Sequence, residues 1–400
     1  MRRERDDARR AKRKQARGQV AVFAGPRPLG IVEARAPQAR FVEFETERMD
    51  EMQRGARVRT QAYDIARIRG DFRLVQDDME HNEASPLATD FCGLQLTNPI
   101  VLLSGCVGFG EEYTRVEGFS NADVGAVVLQ GTTGAARLGN PPHRVYETPM
   151  GMLNAIGLQN PGVAHVVDRI LPTLDFSETR FIANVSGSTV EEYIEVTRRF
   201  DDSPIDAIEI NISCPNVKEG GVQFGNDPDM SARVVEACRR VTRKPLITKL
   251  SPNQTDIAFS ARRCIEAGTD ALAVINTLTG MAIDAELRRP VIGNLQGGLS
   301  GPAIKPIALL KVWQVYQVAK PHGIPIIGQG GIVTAADALE FMLAGASTVG
   351  VGTGLFYDPL ACRKIVSGLV DYLARHRIAR IADLVGALDT APSAVGCYST

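Results

Sequence analysis

Net charge is nearly absent from this 400-residue chain, at −1 at pH 7. That removes any global electrostatic case for a nucleic acid or membrane partner. No apolar run approaches the roughly 18–20 residues a membrane helix needs. The start is basic but has no apolar stretch behind it, so it is not a secretory signal. Seven cysteines are scattered without any C-x-x-C pair. They read as reduced thiols in a cytoplasmic protein, with no zinc or iron–sulfur site in this chain. No G-x-G-x-x-G follows the first strand-like run, which weakens the case for an open doubly wound sheet. What the chain does have is 44% hydrophobic residues, enough for one large core or two ordinary ones.

Residues 1–78 stand apart. Arg and Lys dominate the first 18 positions, with Glu4, Asp6 and Asp7 among them. Apolar periodicity is poor, so little surface can be buried against the entropy of ordering. The plain expectation is a charged extension, disordered or partly helical. A sharper one is an electrostatic arm for RNA or a partner protein. A third is that translation starts at Met79.

From Leu87 onward the texture changes. Short β-branched runs recur, each ending in a small or polar residue. They are Pro99-Ile-Val-Leu-Leu-Ser104, Ala126-Val-Val-Leu-Gln130, Phe181-Ile-Ala-Asn184, Ala207-Ile-Glu-Ile-Asn-Ile212, Leu246-Ile-Thr-Lys249, Ala271-Leu-Ala-Val-Ile-Asn276, Pro325-Ile-Ile-Gly-Gln329 and Thr348-Val-Gly-Val-Gly352. Near-continuous apolar runs suit strands buried on both faces of a parallel sheet. Between them, 190–200 and 230–241 show helical apolar spacing. Residues 335–344 follow Thr334, a good N-cap, and precede Gly345, a good C-cap. Eight strand–helix units over residues 79–400 predict an α/β fold, the (β/α)8 barrel.

A barrel carries its chemistry at the C-terminal ends of its strands and binds phosphate after strands seven and eight. Ser104, Gln130, Asn184, Asn211, Lys249 and Asn276 all end apolar runs. Gly330-Gly331 and Gly352-Thr353 end the last two. Glycine turns there let backbone N–H groups approach an anion, which points to a phosphorylated cofactor or substrate. Lys249 is the one cation in this set, suited to stabilising negative charge on an electron-accepting ring. As a plain alternative it snorkels to the surface.

Cys214 lies in Asn211-Ile-Ser-Cys-Pro-Asn-Val217, before the glycine-rich run Glu219-Gly-Gly-Val-Gln-Phe-Gly225. A thiol placed where a strand ends, flanked by amides, is presented to a small polar ligand; a buried structural cysteine is the plain alternative. Asn211, Asn216 and Asn276 each offer a donor and an acceptor, as a flat heterocycle with alternating C=O and N–H groups requires. Residues 139–146 and 151–161 form a long polar connection with Met152, Leu153, Ile156 and Leu158 in it. Such loops are functional or disordered, and the apolar content favours a lid or wall over the strand ends. His143 is expected in a turn.

Residues 211–225 and 152–162, Lys249-Leu-Ser-Pro-Asn253, Gly297-Gly-Leu-Ser-Gly-Pro-Ala-Ile-Lys-Pro306 and Gly328-Gln-Gly-Gly-Ile332 occur in order. Together they resemble class 1 dihydroorotate dehydrogenase, most closely the catalytic subunit of the NAD-linked class 1B form. The resemblance runs from about Pro86 to about Gly386. It implies an FMN-containing barrel that oxidises dihydroorotate to orotate in pyrimidine synthesis. Cys214 would be the base that takes the C5 proton, with Lys249 beside the flavin and hydride passing from C6 to flavin N5. Flavin-binding positions implied are Ser104, Gln130, Gly131, Asn184, Asn211, Lys249, Ile275, Gly301, Gly330, Gly331, Gly352 and Thr353. Substrate-binding positions implied are Asn154, Ala155, Ile156, Gly157, Leu158, Asn211, Asn216, Asn276 and Thr277. The resemblance also implies a partner subunit carrying FAD and a [2Fe–2S] cluster, around a homodimeric core within a heterotetramer.

One position departs from the family pattern, which has a lysine where this chain has Gln130. Glutamine donates a hydrogen bond but brings no charge, so weaker orotate binding or an altered flavin potential is expected. Two rival readings follow: an FMN barrel acting on another dihydropyrimidine, and a flavin-binding homologue with weakened catalysis.

Overall fold

The computed structural model describes residues 85–212 and 224–390. Cys214 and Asn216, and the expectations for residues 1–78, lie outside the described residues.

Eight parallel strands close into a barrel. They are β1 (Ile100–Leu102), β2 (Ala126–Val128), β3 (Arg180–Val185), β4 (Ala207–Asn211), β5 (Leu246–Lys249), β6 (Ala271–Val274), β7 (Ile326–Gln329) and β8 (Thr348–Val351). Each pairs with the next in sequence, and β8 closes on β1 through Val349↔Ile100, Gly350↔Val101 and Val351↔Leu102. All eight strand-like runs of the sequence are therefore strands, and the open-sheet alternative is excluded by closure.

Side-chain alternation divides each strand between two cores. Ile100, Leu102, Val127, Phe181, Ala183, Ile208, Ile210 and Leu246 pack outward into one cluster with the helices. Val101, Ala126, Val128, Ile182, Ala207, Ile247, Ala271, Ala273 and Ile327 form a second cluster with Phe91 and Leu96. The last two belong to a hairpin, Thr89–Phe91 with Leu94–Leu96. It closes the N-terminal end of the barrel, so the strand interiors are apolar low down and only their C-terminal ends are free for polar chemistry.

Six longer helices cover the outside: α1 (Val190–Asp201), α2 (Pro228–Arg239), α3 (Ile257–Glu266), α4 (Lys305–Ala319), α5 (Ala335–Leu343) and α6 (Ala361–His376). Their starts are written locally. Thr189, Asp227 and Asp256 accept hydrogen bonds from first-turn N–H groups. Thr334 caps its helix as the sequence suggests, and Asp337 completes a reciprocal capping box.

Two connections differ from a strand–helix repeat. Between β1 and β2 the described chain has only short 3-10 turns, Tyr113–Arg115 and Asn121–Asp123. This stretch is rich in glycine, which disfavours helix. Between β2 and β3 the expected wall is a hairpin, Val145–Thr148 with Gly151–Asn154. It joins Leu278–Gly280 and Gly297–Ser300 in a four-stranded antiparallel sheet. His143 lies in irregular chain with a left-handed backbone, φ 65°, and its carbonyl accepts from Gly293 N at 2.8 Å.

Candidate active site

Period-two alternation carries the inward faces of the strands upward from the apolar layer to polar residues. Gln130 follows Val128; Asn184 follows Ile182; Glu209 and Asn211 follow Ala207; Lys249 follows Ile247; Gln329 follows Ile327. The sequence thus places a polar ring at the C-terminal mouth, on top of a dry core.

Lys249 is the electrostatic centre of this ring. Its side chain is only 7% exposed, and it pairs with Glu209, Nζ to Oε1 at 3.7 Å. That separation exceeds a hydrogen bond, so the ammonium's three donors are not used up by this pair. Glu209 is fully buried. Its Oε1 accepts from Asn184 Nδ2 at 2.5 Å, and its Oε2 has no hydrogen-bond partner among the described residues. Asn184 Oδ1 in turn accepts from Ser186 Oγ at 3.4 Å. A Cβ on Gly131 would lie 3.0 Å from that Oδ1, so the chain at Gly131 passes close over the amide.

Lys249 also acts across the mouth. Burial pushes the Cys106 thiol up to about 11, and the positive charge of Lys249 offsets part of that rise. Cys106 Sγ would lie 3.3 Å from a Cβ on Gly352. Cys106 thus lies against the end of strand eight and within the field of the charge that ends strand five; Ser104, two residues before it, is half-buried.

A second group converges from the seventh and eighth strand ends. Thr353 Oγ1 donates to Ser300 Oγ at 2.8 Å. Gly331, at φ 90°, is packed so tightly that a Cβ would lie 2.9 Å from Gly301 O and from Lys305 Cβ. Gly301, at φ 96°, lies against Gly151, where a Cβ would come within 2.8 Å of Cα. Both are backbone conformations that L side chains rarely adopt. Ile275 adjoins this region: a Cβ on Gly330 would be 3.7 Å from Ile275 Cγ1. Gln329 Nε2 donates to Ile275 O at 2.8 Å, and Ile275 N donates to Gln329 O at 3.1 Å.

Of the amides expected around a heterocycle, Asn211 and Asn276 are joined directly. Asn276 Nδ2 donates to Asn211 Oδ1 at 3.2 Å, and Thr277 N donates to Asn276 Oδ1 at 2.8 Å. Thr277 packs on Gly298, which is the register partner of Asn154; Asn154 Nδ2 donates to Gly298 O at 3.3 Å. The antiparallel sheet therefore brings Asn154 to the same side of the barrel as Asn276. Residues 155–158 continue from it: Ala155 is buried, and Ile156, Gly157 and Leu158 are half-buried. Arg144, 9% exposed, pins this segment through Leu138 O, Asn140 O and Gln159 Oε1.

Sequence reasoning overlooked three residues here. Glu209 is a carboxylate inside an apolar run, two positions before Asn211 and so on the same face; that spacing was its signal. Asn253 bridges Thr277 O and Thr279 N, and Ser300 meets Thr353. Both stand inside runs that carry the family resemblance, but their contacts have no local signature, because each partner is distant in sequence.

The residues present fit a phosphorylated flavin. A buried ammonium with donors to spare, an inward amide ring and a tight cradle at Gly301, Gly331 and Thr353 answer an electron-accepting ring and a phosphate.

A family model described as dihydroorotate dehydrogenase matches residues 86–373. The chain is 51% identical over 304 residues to the dihydroorotate dehydrogenase B (NAD(+)) catalytic subunit of Pelobacter propionicus, covering 76% of this chain and 98% of that one. It is 50% identical over 303 residues to the protein of the same name from Geotalea daltonii, with the same coverage. The Desulforudis audaxviator catalytic subunit is 50% identical over 301 residues, covering 75% of this chain and 96% of that one. The chain belongs to the dihydroorotate dehydrogenase family, whose members are flavin-dependent in general. Among the described residues no helix is long and apolar enough to cross a membrane.

Proposed function

We propose that this chain oxidises dihydroorotate to orotate in pyrimidine biosynthesis, as the catalytic subunit of an NAD-linked enzyme. The observation that carries this reading is the buried Lys249 ammonium, with donors to spare, at the mouth of a barrel of this family. Gly301, Gly330, Gly331, Gly352 and Thr353 would hold the phosphate end of FMN. Lys249, Asn184, Ser104, Gly131 and Ile275 would surround its ring, with Asn211 between ring and substrate. When bound, FMN supplies a two-electron acceptor for the hydride that leaves C6.

The chain's own residues do the rest. Asn154, Asn211, Asn276 and Thr277 present donors and acceptors that orient the substrate ring, and residues 155–158 wall it from water. Cys214 takes the C5 proton onto its thiolate. A free thiol near pKa 8.5 is only a few per cent ionised at neutral pH, so the rate should rise with pH. Asn216 lies on the same segment and would meet the substrate edge.

Re-oxidation calls for a second protein. The relatives are named as catalytic subunits of NAD(+) enzymes. We assign the route to a partner carrying FAD and a [2Fe–2S] cluster, two copies of each chain forming the assembly. Reconstituted with FMN and mixed anaerobically with dihydroorotate, the chain should bleach its flavin within its turnover time. It should then reduce dyes readily and NAD barely. No bleaching with dihydroorotate, but bleaching with dihydrouracil, would move the reading to another reduced pyrimidine.

A further inference from the structure

Glu209 has no part in the chemistry assigned so far, yet it is the most deeply placed charge at the mouth. It is fully buried, and a carboxylate in such a place persists only when paired. Its ion-pair partner is Lys249 at 3.7 Å. Its position is not accidental to the fold. Asn184 is its register partner on β3, and Asn211, two residues on, is the register partner of Lys249. Asn184 Nδ2 donates to Glu209 Oε1 at 2.5 Å, the same oxygen that faces Lys249. That bond holds the carboxylate in one rotamer and draws Oε1 between an amide and an ammonium. Oε2 is left without a donor among the described residues. A carboxylate retained only to satisfy itself would use both oxygens; this one has a single oxygen shared between two members of the ring.

We infer that Glu209 is a positioning residue, a buried counter-charge that sets how much positive charge Lys249 presents to the electron-accepting ring. The inference rests on the reading of Lys249 as flavin-facing. With Glu209 ionised, the pair is close to neutral and the ring sees a dipole. With Glu209 neutral, it sees an uncompensated ammonium, and reduced flavin is favoured. Asn184 holds the carboxylate, so the balance is built into three neighbouring strands.

The test is a double-mutant cycle on the FMN-reconstituted full chain, using Glu209→Gln, Lys249→Met and both together. The readout is the ratio of reduced to oxidised flavin at a fixed poise against a reference dye. Glu209→Gln, nearly isosteric, should raise that ratio roughly ten-fold, the difference between a neutral and a charge-assisted contact. Lys249→Met should lower it. In the Lys249→Met background Glu209→Gln should change it less than two-fold, because no ammonium is left for the carboxyl to screen. Thermal unfolding of the apo variants, run alongside, shows that each is folded. Equal Glu209→Gln shifts in both backgrounds, or no shift in the parent while Lys249→Met does shift, overturn the counter-charge role alone. A silent Lys249→Met removes the flavin-facing reading of Lys249, and the inference with it. Should Glu209→Gln not fold, Glu209→Asp, which keeps the charge and draws it back from Lys249, must shift the ratio in the parent and not in the Lys249→Met background.

Discussion

Gln130 Nε2 donates to the backbone carbonyl of Gln159 at 3.3 Å, tying the end of β2 to the segment that follows the antiparallel hairpin. Gln159 Oε1 accepts from Arg144 at 2.5 Å, so the amide belongs to a structural brace. A neutral side chain stands where the family pattern implies a lysine. Charge-assisted hydrogen bonds are about twice as strong as neutral ones. Gln130→Lys should therefore tighten orotate binding by roughly five- to ten-fold, about 1–1.4 kcal/mol. Titration of the flavin spectrum with orotate measures this, and unchanged affinity would show that the missing charge is immaterial.

Cys214 is the proposed base. Replacing it with alanine should slow anaerobic flavin reduction by roughly 10²–10⁴-fold, the usual contribution of a positioned general base. A base acts deprotonated, so the parent rate should climb as pH rises through the thiol pKa and level off above it. The variant should lose that climb. A pH profile of single-turnover reduction decides the matter; a variant that keeps the parent inflection would clear the thiol of the role.

Cys106 should be inert despite lying beside the site. Burial pushes its thiol up to about 11, with Lys249 offsetting part of the rise. At pH 7.5 its thiolate fraction is then below about one in a thousand. Iodoacetamide labelling of the apo chain, followed by peptide mass spectrometry, should be slow at Cys106. It should quicken about ten-fold per pH unit up to pH 10. Lys249→Met should slow it further, because the offsetting charge is gone. Labelling as fast as a free thiol would contradict a raised pKa at this half-buried thiol.

Gly331 is the tightest point of the proposed phosphate cradle. Alanine there meets Gly301 O and Lys305 Cβ at 2.9 Å and must adopt φ near 90°. The strain should cost about 1–2 kcal/mol of stability. FMN affinity should fall by ten-fold or more at a stability loss of that size. Fluorescence titration of FMN and thermal unfolding of the apo chain measure the two separately. A variant that binds FMN as tightly as its parent would take Gly331 out of the cradle.

The strands and their order were legible in the sequence because parallel strands buried on both faces are near-continuous apolar runs, and β-branched side chains make them local signals. The helix start at Thr334 was legible for the same reason, because an N-cap acts within one turn. Strand-end residues such as Asn211 and Lys249 could be picked out because an apolar run announces where it stops. The antiparallel sheet was not legible. Gly151–Asn154 pairs with Gly297–Ser300, and nothing local distinguishes an irregular loop from a strand whose partner lies far along the chain. Glu209 was visible as a residue but not as a charge partner.

Composition, periodicity and local caps were thus enough to specify a closed barrel and the end at which its chemistry lies, since each depends on interactions between near neighbours. Which polar groups meet there was decided only by closure. The pairing of Glu209 with Lys249, the amide held by Asn184, and the approach of Cys106 to Gly352 all depend on strand register and barrel curvature, which no single segment encodes.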